Sequence, residues 1–253
     1  MNVLSLLTVL FIAACVAVFR RQSLYFISGL FINVLIFIGY LWTLAQGLPV
    51  YPVTVVAFLL VVVVILFYVN DVNPKTKVAF ICVLLFLIGF TLVSYPLITV
   101  LQTQGFAVEE LEELASFDFN VDVAFDQLNV SVILMSFSGA VIDGSMAICS
   151  ATYEIYQHNP KLTFKELVVS SMNVVIEALN STIYTLLFAF MGTSLALVIW
   201  LQDLNYSFVE IINSKAFVSE LLICVLTGSA AILILPISSI VGSWLFKHKF
   251  EKQ

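Results

Sequence analysis

Residues 50–69 read VYPVTVVAFLLVVVVILFYV, twenty positions without a charged side chain. At about 1.5 Å of rise per residue, a helix of that length spans the roughly 30 Å of hydrocarbon in a bilayer. Similar runs recur along the whole chain. Of its 253 residues 62% are hydrophobic and only 10% charged, with a mean hydropathy of +1.11. Ordinary soluble domains carry about a quarter of their residues as charged side chains, so this composition excludes them. The sequence therefore predicts an all-α, polytopic integral membrane protein folded as one membrane domain over residues 1–253.

Hydropathy predicts seven spans, at 4–19, 24–44, 50–69, 78–102, 128–152, 172–200 and 217–246. The stretch IAAC ending at Cys15 has the look of a lipoprotein cleavage box. Its cations, Arg20 and Arg21, follow the apolar run instead of preceding it, so 4–19 reads as a first membrane helix. With seven spans, Arg20, Arg21, Lys75, Lys77, Lys161, Lys165, Lys247, Lys249 and Lys252 all fall on one side, and only Lys215 falls on the other. The positive-inside rule makes that side the cytoplasm, with the N-terminus outside. The expected location is the plasma membrane.

Between the fifth and sixth spans, Thr163 followed by Glu166 has the pattern of a capping box. A cytoplasmic surface helix is expected to start there. On the outer side, 103–127 is a loop with seven carboxylates and no cation. It reads as a solvated acidic segment, with a cation-collecting surface or a dock for a basic partner as the sharper alternatives.

No phosphate-binding loop, metal-binding His/Cys cluster or nucleophile motif is present, and the formal net charge is −6. Enzyme chemistry, a resident cofactor or metal, and nucleic-acid binding are not expected. The four cysteines all lie in apolar runs and read as small packing residues.

One stretch breaks the lipid-compatible pattern: GAVIDGSMAICSATYE, residues 139–154. At 100° per residue, Ser136, Ala140, Asp143, Ala147, Ser150 and Glu154 fall on one line, flanked by Gly139, Gly144 and Ala151. A stripe of small residues lets another helix approach closely. Asp143 is therefore expected to face protein, with Ser136, Gly139, Ala140, Gly144 and Ala147 as the packing surface. No Lys or Arg lies inside any span to pair with it. An intramembrane carboxylate is costly unless protonated, hydrated or paired, and marks an ion or substrate path or a helix-to-helix contact.

The sixth span reads SSMNVVIEALNSTIYT over 170–185, where Asn173, Glu177, Asn180, Ser181 and Tyr184 form a second polar stripe. Glu177 is the expected neighbour of Asp143, with Asn173, Asn180, Tyr184 and Glu154 as further transport or coupling candidates. In the last span, Pro236 is expected to kink the helix. Thr227, Ser229, Ser238 and Ser239 are candidates for the same interior.

These residues resemble a family. GAVIDGSMAICSATYEI, NPKLTFKELVVSSMNVVIEALNSTIYTLLFAFMG and ILPISSIVG are similar to the YibE/F-like membrane proteins over residues 130–245. The resemblance implies a GAxxDxAxxIxSxxxE element with Asp143 and Glu154 at its acidic positions. The sixth span departs, with Val175, Ile176 and Glu177 where the family shows a GRD-like triplet, and Tyr184 where an asparagine is common. The chain resembles the smaller, YibF-like paralogue. That implies a permease subunit acting beside a larger YibE-like membrane partner, which would supply an arginine opposite Asp143. The alternative is a non-transporting scaffold or accessory subunit in envelope assembly or signalling.

Overall fold

The structure, a computed structural model, describes residues 3–101 and 125–249, and every regular element in it is helical. Helix α1 covers Val3–Phe19, and a 3-10 turn at Arg20–Gln22 leads into α2, Ser23–Ala45. Gly47, with φ of +74°, makes the turn after α2 that a side chain would resist. Helix α3, Val50–Val63, then continues as one wide π turn, Val64–Val69.

Helix α4 runs from Pro74 to Leu101 and α5 from Phe125 to His158. Helix α6 covers Phe164–Asp203, α7 is the short Phe208–Asn213, and α8 is Lys215–Lys249. The helix starts follow from local chemistry. Before α4, the Thr76 backbone N–H donates to Asn73 Oδ1 at 2.9 Å and the Asn73 N–H donates to Thr76 Oγ1 at 3.0 Å. Pro74 occupies the first helical position, where its missing N–H costs nothing. Reciprocal capping boxes start α6 (Thr163 and Glu166) and α7 (Ser207 and Glu210).

Six helices are long and apolar enough to cross a membrane, and α1 adds a shorter apolar helix. The core sits where α5 packs on α4 and α8, with α3 closing one side. At its centre Phe137 is fully buried among the rings of Phe90, Phe58 and Phe86, with centroids 4.9, 5.9 and 6.1 Å away. Two glycines seat helices on each other: the Cα of Gly144 faces Ile234 and Leu235 of α8, and Gly242 faces Cys149 of α5. Buried hydroxyls also join helices. Thr54 and Ser131 bond at 2.7 Å and Ser171 and Ser239 at 2.5 Å, while Ser145 donates to the Ala79 carbonyl at 3.3 Å. In hydrocarbon such bonds hold helices together where the hydrophobic effect does not.

One end of the bundle collects cations. Lys75 Nζ bonds Glu154 Oε1 at 2.8 Å, and Lys247 Nζ donates to the Leu162 carbonyl at 2.6 Å. The start of α4, the end of α5, the 159–163 connection and the end of α8 therefore meet.

Two expectations change. No separate surface helix follows the capping box; Thr163 starts one uninterrupted 40-residue helix that contains the sixth span. The reason is continuity of helix-forming residues, since no Gly or Pro separates Phe164 from Met191. Helix α8 runs through Pro236 to Lys249, as α4 runs through Pro96, and each proline removes one backbone hydrogen bond from its helix. The acidic loop expected at 103–127 lies outside the described residues up to 124, and its last three residues begin α5.

Candidate functional site

Asp143 occupies the middle of α5, about 27 Å along the helix from Phe125 and about 23 Å from His158 at 1.5 Å per residue. It is exposed on the surface of the chain. The buried face of α5 is the one that carries Phe137, Val141, Ile142, Ser145, Ile148, Cys149 and Thr152. The small-residue stripe turns elsewhere: Gly139 and Ala147 are exposed, and a Cβ built on Gly139 meets nothing within 4 Å. Of its two flanking glycines, Gly144 is the one that packs closely on another helix. Ala140 is half-buried, and Ser136 lines a separate 310 Å³ cavity with Thr227 and Glu220.

What Asp143 does face is a 460 Å³ cavity between α5, α2 and the π turn. Its walls are mostly apolar, with Phe26, Leu30, Val34 and Phe37 from α2 and Ile65 and Val69 from the π turn. Two polar side chains line it, Asp143 and Asn33. Asn33 Oδ1 is buried and accepts no hydrogen bond, an uncommon state for a buried amide. Among the described residues no basic side chain lines the cavity.

The π turn shapes this site. Widening one turn displaces Ile65 and Val69 relative to a straight α-helix, and such turns concentrate at functional positions. It is held locally, since Asn70 Nδ2 donates to the Ile65 carbonyl at 2.8 Å. On its other flank, Tyr68 and Ser28 share a hydrogen bond of 3.0 Å, and the Tyr25 ring meets Tyr68 edge-on. Gly29 allows α2 to approach so closely, because a Cβ there would collide with the Val69 side chain. Gly29 and Asn33 are one turn apart, so the contact and the amide share a face.

Glu177, the expected neighbour of Asp143, is not among the residues that line the Asp143 cavity, and no described residue of α6 is. Helix α2 packs on α3 and the π turn, whereas α6 packs on α8 and α5. Asn173, Glu177, Asn180, Ser181 and Tyr184 do share one face of α6, but all five are exposed. Helical spacing shows which residues lie on one side of a helix, not which way that side is turned, and α8 has taken the opposite face of α6 through Ser171 and Val175.

Glu154 is also placed away from Asp143, in the exposed pair with Lys75, whose ammonium lies 5.6 Å from the Tyr153 ring centre. Ser238 and Ser239 are buried on α8, and Ser229 donates back to the Val225 carbonyl of its own helix. Among the described residues no cluster of His, Cys, Asp and Glu is able to hold a metal ion.

Gly29, Asn33 and the π turn escaped the sequence reading. A signal existed for Asn33, a lone amide inside the run SGLFINVLIFIGYLW, and polar residues in membrane spans are functional candidates by default. None existed for the π turn, whose sequence VILFYV is indistinguishable from helical lipid filler.

Neither curated proteins nor solved structures provide a match to the chain. The YibE/F-like protein family matches it over residues 7–248, which takes in most of α1, the Asn33 and Asp143 cavity, the α6 stripe and nearly all of α8. The chain belongs to the YibE/F-like protein family.

Proposed function

We propose that this chain is a permease subunit of the plasma membrane whose transport is coupled to protons or another ion through Asp143. The observation that carries the reading is an intramembrane carboxylate without an ion pair among the described residues, opening on a cavity beside a π turn. A charge at that depth is unfavourable unless it is neutralised or hydrated. Binding or losing a cation at Asp143 therefore changes the relative cost of two arrangements of α2 and α5 around the cavity. A ligand shifts such an equilibrium by the difference in its affinity for the two states. The cationic end formed by Lys75, Lys247 and their partners is the cytoplasmic end in this reading, with seven spans and the N-terminus outside.

A larger YibE-like paralogue is the proposed partner, seated on the outward face of α6. The support is the polar stripe from Asn173 to Tyr184, which lipid solvates poorly and protein solvates well. The same stripe favours the second reading, a non-transporting scaffold whose task is to hold that partner.

The two readings separate in everted vesicles carrying the chain and its copurifying proteins. An imposed proton gradient is followed with a quenched dye while a panel of solutes is added. The permease reading expects at least one solute to discharge the gradient with wild type, and Asp143→Asn to abolish that response at unchanged expression and partner recovery. Wild-type response from Asp143→Asn overturns the coupling role. Loss of the partner with Asp143→Asn moves the residue to the scaffold reading.

A further inference from the structure

The cavity beside Asp143 has a chemistry of its own. Its one group with a full formal charge is a carboxylate, and its second polar group is the amide of Asn33. The terminal torsion of an asparagine is broad and roughly two-fold, so the amide presents either its oxygen or its NH₂ to an occupant. With Oδ1 buried and unbonded, the present orientation leaves an acceptor unsatisfied, and turning the amide offers it to a donor. An anion is disfavoured by Asp143, and among the described residues no cation lines the cavity to offset it. A bare divalent ion is disfavoured as well, because calcium takes six to eight oxygen ligands and two side chains supply too few.

The remaining walls select further. Phe26, Leu30, Val34, Phe37, Ile65 and Val69 make an apolar lining around the two polar groups, at a volume of 460 Å³. That falls in the range of about 300–1,000 Å³ over which pockets hold small organic molecules with a few fixed polar contacts. The site also lies halfway along α5, at the depth of hydrocarbon, so an occupant entering from the side crosses lipid first.

Building on the permease reading, we propose that this cavity binds a lipophilic ammonium compound, an organic amine with N–H donors on a compact apolar body. The ammonium sits on the Asp143 carboxylate, Asn33 accepts a second N–H, and the hydrocarbon body packs against the α2 and π-turn side chains. Attraction between opposite charges strengthens in a low-dielectric surrounding, so Asp143 dominates affinity and the apolar walls set size. Gly29 belongs to the site indirectly, by fixing how near α2 stands to the π turn.

The test uses 1-adamantylamine and its neutral counterpart 1-adamantanol, which share one cage and differ in charge. Binding is measured calorimetrically on the purified full chain, with its copurifying partners, in a neutral detergent. The expected result is saturable binding of the amine at least tenfold tighter than the alcohol. Asp143→Asn is expected to remove that preference, and Asn33→Leu to weaken amine binding several-fold while leaving the alcohol unchanged. Asn33→Leu is apolar in an apolar span and keeps the test independent of folding problems at Asp143. Equal binding of amine and alcohol to wild type, or amine binding unaltered in both variants, overturns the proposal. Failure here with Asp143-dependent flux intact removes only the amine assignment. Amine binding through Asp143 with flux indifferent to Asp143→Asn leaves the site standing and removes the coupling role.

Discussion

Helices α5 and α6 are both long, both apolar, and both carry a polar stripe with a carboxylate, yet the fold uses them in opposite ways. Helix α5 is wrapped by α3, α4 and α8, and Asp143 of its stripe opens on a cavity lined by α2 and the π turn. Helix α6 touches mainly α8, and its stripe faces outward with almost none of its central region buried. The two carboxylates therefore have different surroundings. Asp143 lines a cavity built from this chain's own helices, whereas Glu177 lies on an exposed face of α6.

The sharpest way to break that contrast is a pair of aromatic truncations, one on each helix. Phe137→Ala empties the centre of a four-ring cluster, and loss of a buried Phe costs about 3–5 kcal/mol because the neighbours relax only partly. A thermal-unfolding scan of the purified chain is expected to show a large fall in midpoint. On α6, Tyr184→Ala removes an exposed ring, and surface changes usually stay within about 0.5 kcal/mol. The isolated chain is expected to keep its midpoint while recovery of copurifying protein falls. A large loss of midpoint from Tyr184→Ala would mean that this chain covers the α6 face itself, and the contrast would collapse.

The smallest expected effect sharpens where α6 ends. Ser207 donates through its hydroxyl and its backbone N–H to Glu210, at 2.6 and 2.7 Å, and these bonds hold the Glu210 carboxyl below its ordinary value of 4.5. A carboxylate whose folded value is depressed adds stability above its unfolded value, and that contribution disappears as pH falls through the folded value. Helix α7 is therefore expected to fray below about pH 4.5, seen as faster amide exchange at Glu210 and Ile211. Because Glu210 is fully exposed the change stays local, and Glu210→Ala should show the faster exchange already at neutral pH. Exchange that is independent of pH, once corrected for intrinsic rates, would count against the capping box.

Much of the helical plan was legible in the chain. Residues 50–69 alone impose a lipid-compatible helix, because backbone polar groups in hydrocarbon must be satisfied within the segment. The Thr163 and Glu166 pair marks a helix start through local hydrogen bonds, and the start is where expected. Less was legible where long-range contacts decide. The surface helix merged into α6 because a capping box specifies a beginning and says nothing of where the helix next bends.

The candidate site divides along the same line. By itself the sequence determined that Asp143 lies at membrane depth, that its helix carries small residues beside it, and that the chain contains no intramembrane cation to pair with it. Those are properties of one segment and of composition. Only the tertiary structure decided that Asp143 faces α2 and not α6, that Asn33 shares its cavity, and that a glycine at position 29 and a widened turn at 64–69 make room there. A helix's polar face is set by its own periodicity. The direction that face points is set by which neighbours fill the space around the helix, and that depends on side chains far away in the chain.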